Sequence, residues 1–188
     1  LPVLPIECER PSETFVQTVA EQVERMRAIV DRRLSGGLGG DTRQFTAVGP
    51  VLEMLRRYVA QAYRTRALNV ELEIVGPVTF RGAGEDLEEM AGNLLDNACK
   101  WASQRVRIRA LAKDGRWQLV VEDDGPGLTR SQSSQVLERG VRLDHRVPGS
   151  GLGLAIVGDI AASYGGRVLL DASELGGLRA VLDLPAQE

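Results

Sequence analysis

A stretch in the middle of the sequence carries amide and ammonium side chains at regular intervals. Asn93, Asn97 and Lys100 follow one another at spacings of four and three residues, so they share one face of a helix. Carboxamide oxygens are hard ligands that suit Mg²⁺, an ion that takes few protein ligands alongside phosphates and water. A lysine one turn later can neutralise phosphate charge. In isolation, an amphipathic helix with a solvated polar face explains the same pattern more simply.

A second segment joins carboxylates to a tight turn. A strand-like run over 117–122 leads into Asp123-Asp124-Gly125-Pro126-Gly127. The carboxylate of Asp123, held at a strand end, can accept the amino hydrogens of adenine, and Gly125 and Gly127 let a flat base approach the backbone. An acidic surface turn is the plainer alternative for this segment alone.

A third segment is rich in glycine and leads directly into an apolar helix. The residues of this segment that we expect to present backbone N–H groups are Gly149, Gly151, Leu152 and Gly153. Such groups, together with the N-terminus of a helix, form an anion site for a di- or triphosphate. The run resembles the start of a dinucleotide fingerprint, but that fingerprint requires a preceding strand, which is lacking here.

The elements around these segments form an α+β pattern. Helical periodicity predicts helices over 49–66, 85–102 and 152–164. Alternation predicts strands over 70–75, 78–80, 105–112, 117–122, 167–171 and 178–184, with turns at Gly76-Pro77, Asp114-Gly115 and Gly176-Gly177. Helices and strands come in groups, so we expect a two-layer α/β sandwich, a mixed sheet with helices on one face.

The N-terminal part of the sequence differs from the rest. Residues 1–11 contain three prolines and are expected to be extended. Residues 12–35 predict one long helix with an apolar stripe that needs a partner surface. Residues 36–43 resemble a flexible linker because of their glycines, and residues 44–188 form the main domain.

Composition excludes several classes. The 188 residues carry a formal net charge of −3, which does not favour nucleic-acid binding. Cys8 and Cys99 have no partners at metal-ligand spacing, and a reduced cytoplasmic setting needs the fewest assumptions. No run reaches the roughly 18 apolar residues of a membrane span. The sequence starts without methionine, and we interpret it as a piece of a longer protein.

In this order and spacing, the three segments resemble the boxes of the Bergerat (GHKL) ATPases. This superfamily includes sensor histidine kinases, type II topoisomerases, Hsp90 and MutL. Asn93–Asn97 is similar to the N box, Asp123–Gly127 to the first glycine box, and Gly149–Gly153 to the second. Gly176-Gly177 is similar to the third glycine feature. The residues within these boxes are most similar to those of histidine kinases, especially the PhoQ type.

The resemblance implies a set of roles for the nucleotide site. Asn97 and Asn93 would hold Mg²⁺, and Lys100 would contact phosphate. Asp123 would bind the adenine amino group of ATP. Trp101 lies where the family often has an aromatic side chain near the base, so it would either stack on adenine or belong to the core.

The resemblance also implies an ATP lid over residues 128–148. Arg139 or Arg142 would reach the phosphates, and both are counted among the expected catalytic residues. Leu137 stands where the lid usually has an aromatic residue, which departs from the family pattern.

The family comparison favours transfer of the γ-phosphate to a protein over hydrolysis. Members that hydrolyse ATP carry a glutamate base where this sequence has Asn93, and an amide cannot act as a base. The family's acceptor histidine lies on the first helix of a dimerising hairpin. His145 is the only histidine and lies in the lid, so we expect this chain alone not to phosphorylate itself.

The same resemblance implies partners and leaves alternatives open. The helix over 12–35 is similar to the second helix of the hairpin, so the full-length protein is expected to be a homodimer. It would phosphorylate its own hairpin histidine and pass the phosphate to a response-regulator receiver domain, in the cytoplasmic part of an inner-membrane sensor. A serine kinase of the anti-sigma-factor type and a binding domain without transfer activity remain alternatives.

Overall fold

The computed structural model describes most of the main domain. The described residues are 44–113, 115–129, 132 and 152–186. The chain divides into two units, Leu1–Gly37 and Leu38–Glu188, and every described residue belongs to the second. The extended tail predicted over 1–11, the helix predicted over 12–35 and the linker predicted over 36–43 lie outside the described residues.

Among the described residues, three helices form one layer: Val48–Ala62 (α1), Gly84–Trp101 (α2) and Gly153–Ser163 (α3). The bounds of α2 and α3 match the sequence prediction within one residue. The first helix ends earlier than predicted, at Ala62, and a 3₁₀ turn over Arg64–Arg66 follows. The chain then turns back at Ala67, which has a φ of 49°.

The second layer is a sheet of five strands. Two further short strands form a separate antiparallel pair, Thr46–Ala47 (β1) and Thr79–Phe80 (β3). The five strands are Asn69–Val75 (β2), Arg105–Lys113 (β4), Arg116–Asp123 (β5), Arg167–Ala172 (β6) and Leu178–Pro185 (β7). Their order is β2-β4-β5-β7-β6, with β2 parallel to β4 and the other pairs antiparallel. The mixed sheet of the prediction is confirmed.

Alternate residues of the central strands face the helices. Ile108 of β4, Leu119 of β5 and Leu182 of β7 are fully buried and join Leu87 and Leu94 of α2 in one hydrophobic cluster. The other face of the sheet carries charged residues instead, such as Arg107 and Arg109 around the buried Glu122. The helices therefore cover one face of the sheet.

The turn at Gly76-Pro77 does not join a hairpin. The strands that flank it belong to different sheets, because β2 pairs with β4 and β3 pairs with β1. Phe80 of β3 is buried and packs edge-on against Trp117 and Tyr164, so the chain crosses towards the core after the turn. The physical reason is burial of an aromatic ring, which outweighs local pairing.

Candidate functional site

The helix α2 carries Asn93 and Asn97 on its half-exposed side. The Asn93 amide nitrogen donates to the backbone oxygen of Glu89 at 2.7 Å, which fixes the orientation of the amide. Its Oδ1 atom lies 3.0 Å from the position that a Cβ atom would take at Gly153, the first residue of α3. The Asn93 oxygen therefore faces the N-terminus of α3, where helix geometry favours anions.

Asp123 ends β5 as a buried carboxylate. Its Oδ1 atom accepts hydrogen bonds from the backbone N–H of Gly125 at 2.8 Å and of Leu178 at 3.3 Å. Burial raises the pKa of Asp123, although these two hydrogen bonds oppose the shift. Within the described part of the chain, Oδ2 receives no hydrogen bond. This oxygen remains available to accept an amino group.

Glycines form the walls around Asp123. A Cβ atom at Gly177 would lie 2.1 Å from the Asp123 Oδ1 atom, and one at Gly125 would lie 2.4 Å from the backbone oxygen of Trp101. Gly127, with a φ of 67°, lies against the backbone oxygen of Gly177. The structure thus brings Trp101, Asp123, Gly125, Gly127 and Gly177 together at one end of α2.

Lys100 is engaged by a neighbour on its own helix. Its ammonium group donates to Asp96 Oδ2 at 2.5 Å, and Tyr63 donates its hydroxyl to Asp96 Oδ1 at 2.7 Å. Burial first, and the hydrogen bond to Asp96 second, raise the pKa of Tyr63. Lys100 can contact a phosphate only by leaving or sharing the Asp96 carboxylate.

The remaining predicted residues are placed as follows. Trp101 is partly exposed, whereas Trp117 is buried in the core. Leu152 directly precedes α3, and Gly153 begins it. Arg139, Arg142, Gly149 and Gly151 lie outside the described residues, as does most of the lid over 128–148.

The start of the predicted lid contains a reciprocal pair of hydrogen bonds. The Thr129 backbone N–H donates to Gln132 Oε1 at 2.8 Å, and the Gln132 backbone N–H donates to Thr129 Oγ1 at 3.4 Å. This arrangement is the capping box of helix N-termini, which the Thr-x-x-Gln spacing signals in the sequence.

Sequence reasoning missed four residues beside the site: Tyr63, Arg66, Asp96 and Asp124. Asp124 accepts the backbone N–H groups of residues 103–105. Arg66 donates to backbone oxygens at the end of α2. Asp124 carried a sequence signal because it stands within the Asp-Asp-Gly turn, and Asp96 carried a weaker one because it precedes Lys100 by four residues on a helix. The partners of Tyr63 and Arg66 lie 33 or more residues away, so no local pattern could reveal them.

Comparison with known proteins identifies the family. Residues 82–188 match the family described as histidine kinase-, DNA gyrase B-, and HSP90-like ATPase. This chain belongs to that family. The matched segment contains α2, Asp123 and the N-terminus of α3, and membership in this ATPase family implies that the domain binds ATP.

Individual relatives of this family member are sensor kinases. The sensor protein kinase CarS of Pseudomonas aeruginosa is 56% identical over 104 residues, which cover 55% of this chain and 23% of CarS. The sensor protein PhoQ of Escherichia coli strain K12 is 38% identical over 138 residues, which cover 73% of this chain and 28% of PhoQ. The chain therefore matches about a quarter of the length of these curated relatives.

A solved structure shows the same arrangement of elements. The mycobacterial sensor histidine kinase MprB aligns with a TM-score of 0.69 at 30% identity, over 77% of this chain and 97% of the MprB chain. The α+β fold with helices on one face of a mixed sheet is confirmed by this likeness. In the part of the chain that the structure describes, no helix is long and apolar enough to cross a membrane.

Proposed function

We propose that this chain contains the ATP-binding catalytic domain of a two-component sensor histidine kinase, which transfers the γ-phosphate of ATP to a histidine on a dimerisation helix. The observation that carries the proposal is the placement of two contact regions along α2. Asn93 faces the N-terminus of α3, and the backbone oxygen of Trp101 lies beside Gly125 in the turn that follows Asp123. Eight residues of helix separate them by about 12 Å, a distance that suits the base and phosphates of one nucleotide.

The base end of the site fits adenine. Asp123 Oδ2, to which no described residue donates a hydrogen bond, would accept the exocyclic amino group. Gly125 and Gly177 let the backbone pack directly against the Asp123 carboxylate, which holds that carboxylate in place. Trp101, which is partly exposed, would lie at the edge of this pocket.

The phosphate end fits a magnesium ion. Asn93 and Asn97 would hold Mg²⁺ through their carboxamide oxygens, which are hard ligands. The fixed Asn93 amide supports this, because its nitrogen is committed to Glu89 and its oxygen is turned towards α3. Bound Mg²⁺ would neutralise phosphate charge. Lys100 would bind phosphate from the same helix, and Arg139 or Arg142 would do so from the lid.

An asparagine at position 93 favours transfer over hydrolysis. An amide cannot take a proton from water, and general-base assistance is worth about 10²–10⁴ in rate. Phosphoryl transfer needs positioning and electrostatic stabilisation of the γ-phosphate, which the residues of α2 can supply. ATP hydrolysis by this chain should therefore be slow.

The acceptor and partners follow from the same proposal. The acceptor histidine would lie on a hairpin helix that pairs with the helix over 12–35 in a homodimer. A response-regulator receiver domain would then take the phosphate. The domain would work on the cytoplasmic side of a membrane-bound sensor.

A transfer experiment in trans tests the proposal. The 188-residue chain is incubated with γ-labelled ATP, alone and with a relative's dimerisation hairpin that has no ATP-binding domain. We expect acid-labile label on the hairpin histidine, at a low rate because no tether raises the effective concentration. Asn97→Ala should abolish the transfer, and His145→Ala should preserve it.

The other outcomes separate the alternatives. Label on a serine of an added partner would favour the serine-kinase type, and nucleotide binding without any transfer would favour a binding domain. Label on His145 of the chain itself would contradict the assignment of the acceptor.

A further inference from the structure

Two side chains of opposite charge bind the backbone of the connection between α2 and β4. It comprises residues 102–104, and it directly follows Lys100 and Trp101 at the end of α2. The last carbonyl groups of a helix and the first N–H groups after it lack helical partners, so other groups must satisfy them. Here one guanidinium group and one carboxylate do so.

Arg66 satisfies the carbonyl side. Its Nη1 atom donates to the backbone oxygens of Cys99 and Lys100, both at 2.7 Å, and its Nη2 atom donates to that of Ala102 at 2.6 Å. A cation at the C-terminus of a helix also interacts favourably with the helix dipole. Arg66 comes from the 3₁₀ turn after α1, so these bonds tie two distant segments together.

Asp124 satisfies the N–H side. Its Oδ1 atom accepts hydrogen bonds from the backbone N–H groups of Ser103, Gln104 and Arg105, at 2.8, 3.0 and 3.0 Å. Burial opposes the ionised carboxylate, but the bonds from these three N–H groups outweigh it and lower the pKa of Asp124. Asp124 directly follows Asp123, so the same turn that presents the base acceptor also holds the end of α2.

The two groups act on one short segment. The carbonyl group of Trp101 lies between the carbonyls that Arg66 binds, and it faces Gly125 with no room for a Cβ atom. A shift of this segment would therefore move Lys100 and Trp101 relative to Asp123. We propose that Arg66 and Asp124 are positioning residues that set the distance between the phosphate end and the base end of the nucleotide site.

This inference rests on the proposed ATP site and is tested by ATP affinity. The dissociation constant of Mg²⁺-ATP is measured for the full chain and for Arg66→Met and Asp124→Ala, well below the melting temperature of each variant. We expect each change to weaken binding about tenfold, within the range that residues outside a site can exert on it. Arg64→Met is the matched control, because the Arg64 side chain makes no hydrogen bond with the described part of the chain.

Conservative variants and a coupled variant sharpen the test. Arg66→Lys and Asp124→Asn keep part of the hydrogen bonding and should fall between wild type and the first variants. Since both residues hold the same segment, the two losses should not multiply in Arg66→Met/Asp124→Ala. In a Trp117→Phe background, Trp101 is the only tryptophan left, and each variant should shift its fluorescence emission without nucleotide.

A purely structural role predicts a different result. Both variants would then melt earlier and bind Mg²⁺-ATP with unchanged affinity while folded, which would overturn the inference. If Arg66→Met or Asp124→Ala does not fold, unchanged affinity in Arg66→Lys and Asp124→Asn overturns it equally. Failure of the wild-type chain to bind ATP would instead contradict the proposed function.

Discussion

The two ends of the proposed nucleotide site, the base end around Asp123 and the phosphate end around Lys100, differ in how far their side chains are already held in place. At the base end, Asp123 is buried and one of its oxygens is fixed by two backbone N–H groups. At the phosphate end, Lys100 is about one-third exposed and pairs with Asp96, which is about half exposed. The Asp123 carboxylate is therefore preorganised for binding, whereas Lys100 is paired with Asp96 and must leave or share that partner to bind a phosphate.

The difference has a physical origin. The hydrogen bond between a carboxylate and the amino group of adenine has one fixed geometry. A carboxylate that is already held in place therefore loses little entropy when the base binds. Phosphates bind with high charge and with a metal ion, and a lysine paired with a neighbouring carboxylate does not leave an uncompensated charge before they bind. Changes at the base end should therefore have larger effects than changes at the phosphate end.

The largest effect is expected for Gly177→Ala. The new Cβ atom would lie 2.1 Å from Asp123 Oδ1 and 2.5 Å from the Gly125 nitrogen, so the carboxylate or the turn must move. We expect a loss of about 1–3 kcal/mol in the free energy of unfolding, as for other overpacked sites, and loss of measurable ATP binding. Chemical denaturation and calorimetric titration measure the two effects.

Gly158→Ala provides the matched control for this glycine. Gly158 lies within α3, and an added Cβ atom would meet nothing within 4 Å. The substitution should stabilise the helix by up to about 1 kcal/mol and leave ATP binding unchanged. Equal effects of the two substitutions would show that the glycine wall at the base end is not required.

Asp123→Asn should have the next largest effect. The amide can retain one oxygen for Gly125 and Leu178, but it places an N–H group where the amino group of adenine also donates. Because hydrogen bonds to charged groups contribute about 1.5–3 kcal/mol, affinity for ATP should fall by about 10- to 100-fold. The exposed Asp171 offers a control, since Asp171→Asn should bind ATP normally. Retained affinity in Asp123→Asn would contradict the assigned base contact.

Acid should separate binding from folding. Burial raises the pKa of Asp123 above 3.8. As pH falls through that raised value, Asp123 becomes protonated in the folded chain, and binding of the base weakens. Protonation of Asp123 favours the folded state, because its folded pKa lies above its unfolded pKa. Adenosine affinity should therefore fall with pH while the chain remains folded. Titration of adenosine, which carries no phosphate, with circular dichroism as the measure of folding, checks this.

The pKa of Asp183, on the face of the sheet away from the helices, is shifted in the opposite direction. Burial opposes its ionised form, but hydrogen bonds from Arg116 and Arg167 prevail and lower the pKa of Asp183 below 3.8. Its contribution to stability is present above pH 3.8 and is lost as pH falls through the lowered value. Asp183→Asn should lower the melting temperature near neutral pH, and the melting temperature of this variant should decrease less steeply than that of the wild type as pH falls. Adenosine affinity at neutral pH should not change.

More of the contacts around the proposed base end could be predicted from the sequence than of those around the proposed phosphate end. Asp123, Gly125 and Gly127 stand within five residues, so one turn brings them together and a local pattern is sufficient to find them. The α2 periodicity likewise predicted that Asn93, Asn97 and Lys100 share a face. Contacts that depend on the tertiary fold were missed, since Tyr63 and Arg66 reach α2 from the end of α1. The pairing of Lys100 with Asp96 was also missed, because i,i+4 spacing allows it without requiring it.

The smallest effect is expected at the phosphate end, for Asp96→Asn. The neutral amide would release the Lys100 ammonium group, which could then meet phosphate without displacing a carboxylate. Exposed ion pairs contribute about 0.2–1 kcal/mol, so affinity for ATP should rise by about 1.5- to 5-fold, while affinity for adenosine should not change. Glu53→Gln is the matched control, because Glu53 forms a similarly exposed helical pair with Arg56 on α1. A fall in ATP affinity in Asp96→Asn would show that Asp96 supports Lys100 as a phosphate ligand, and the two ends of the site would then be equally preorganised.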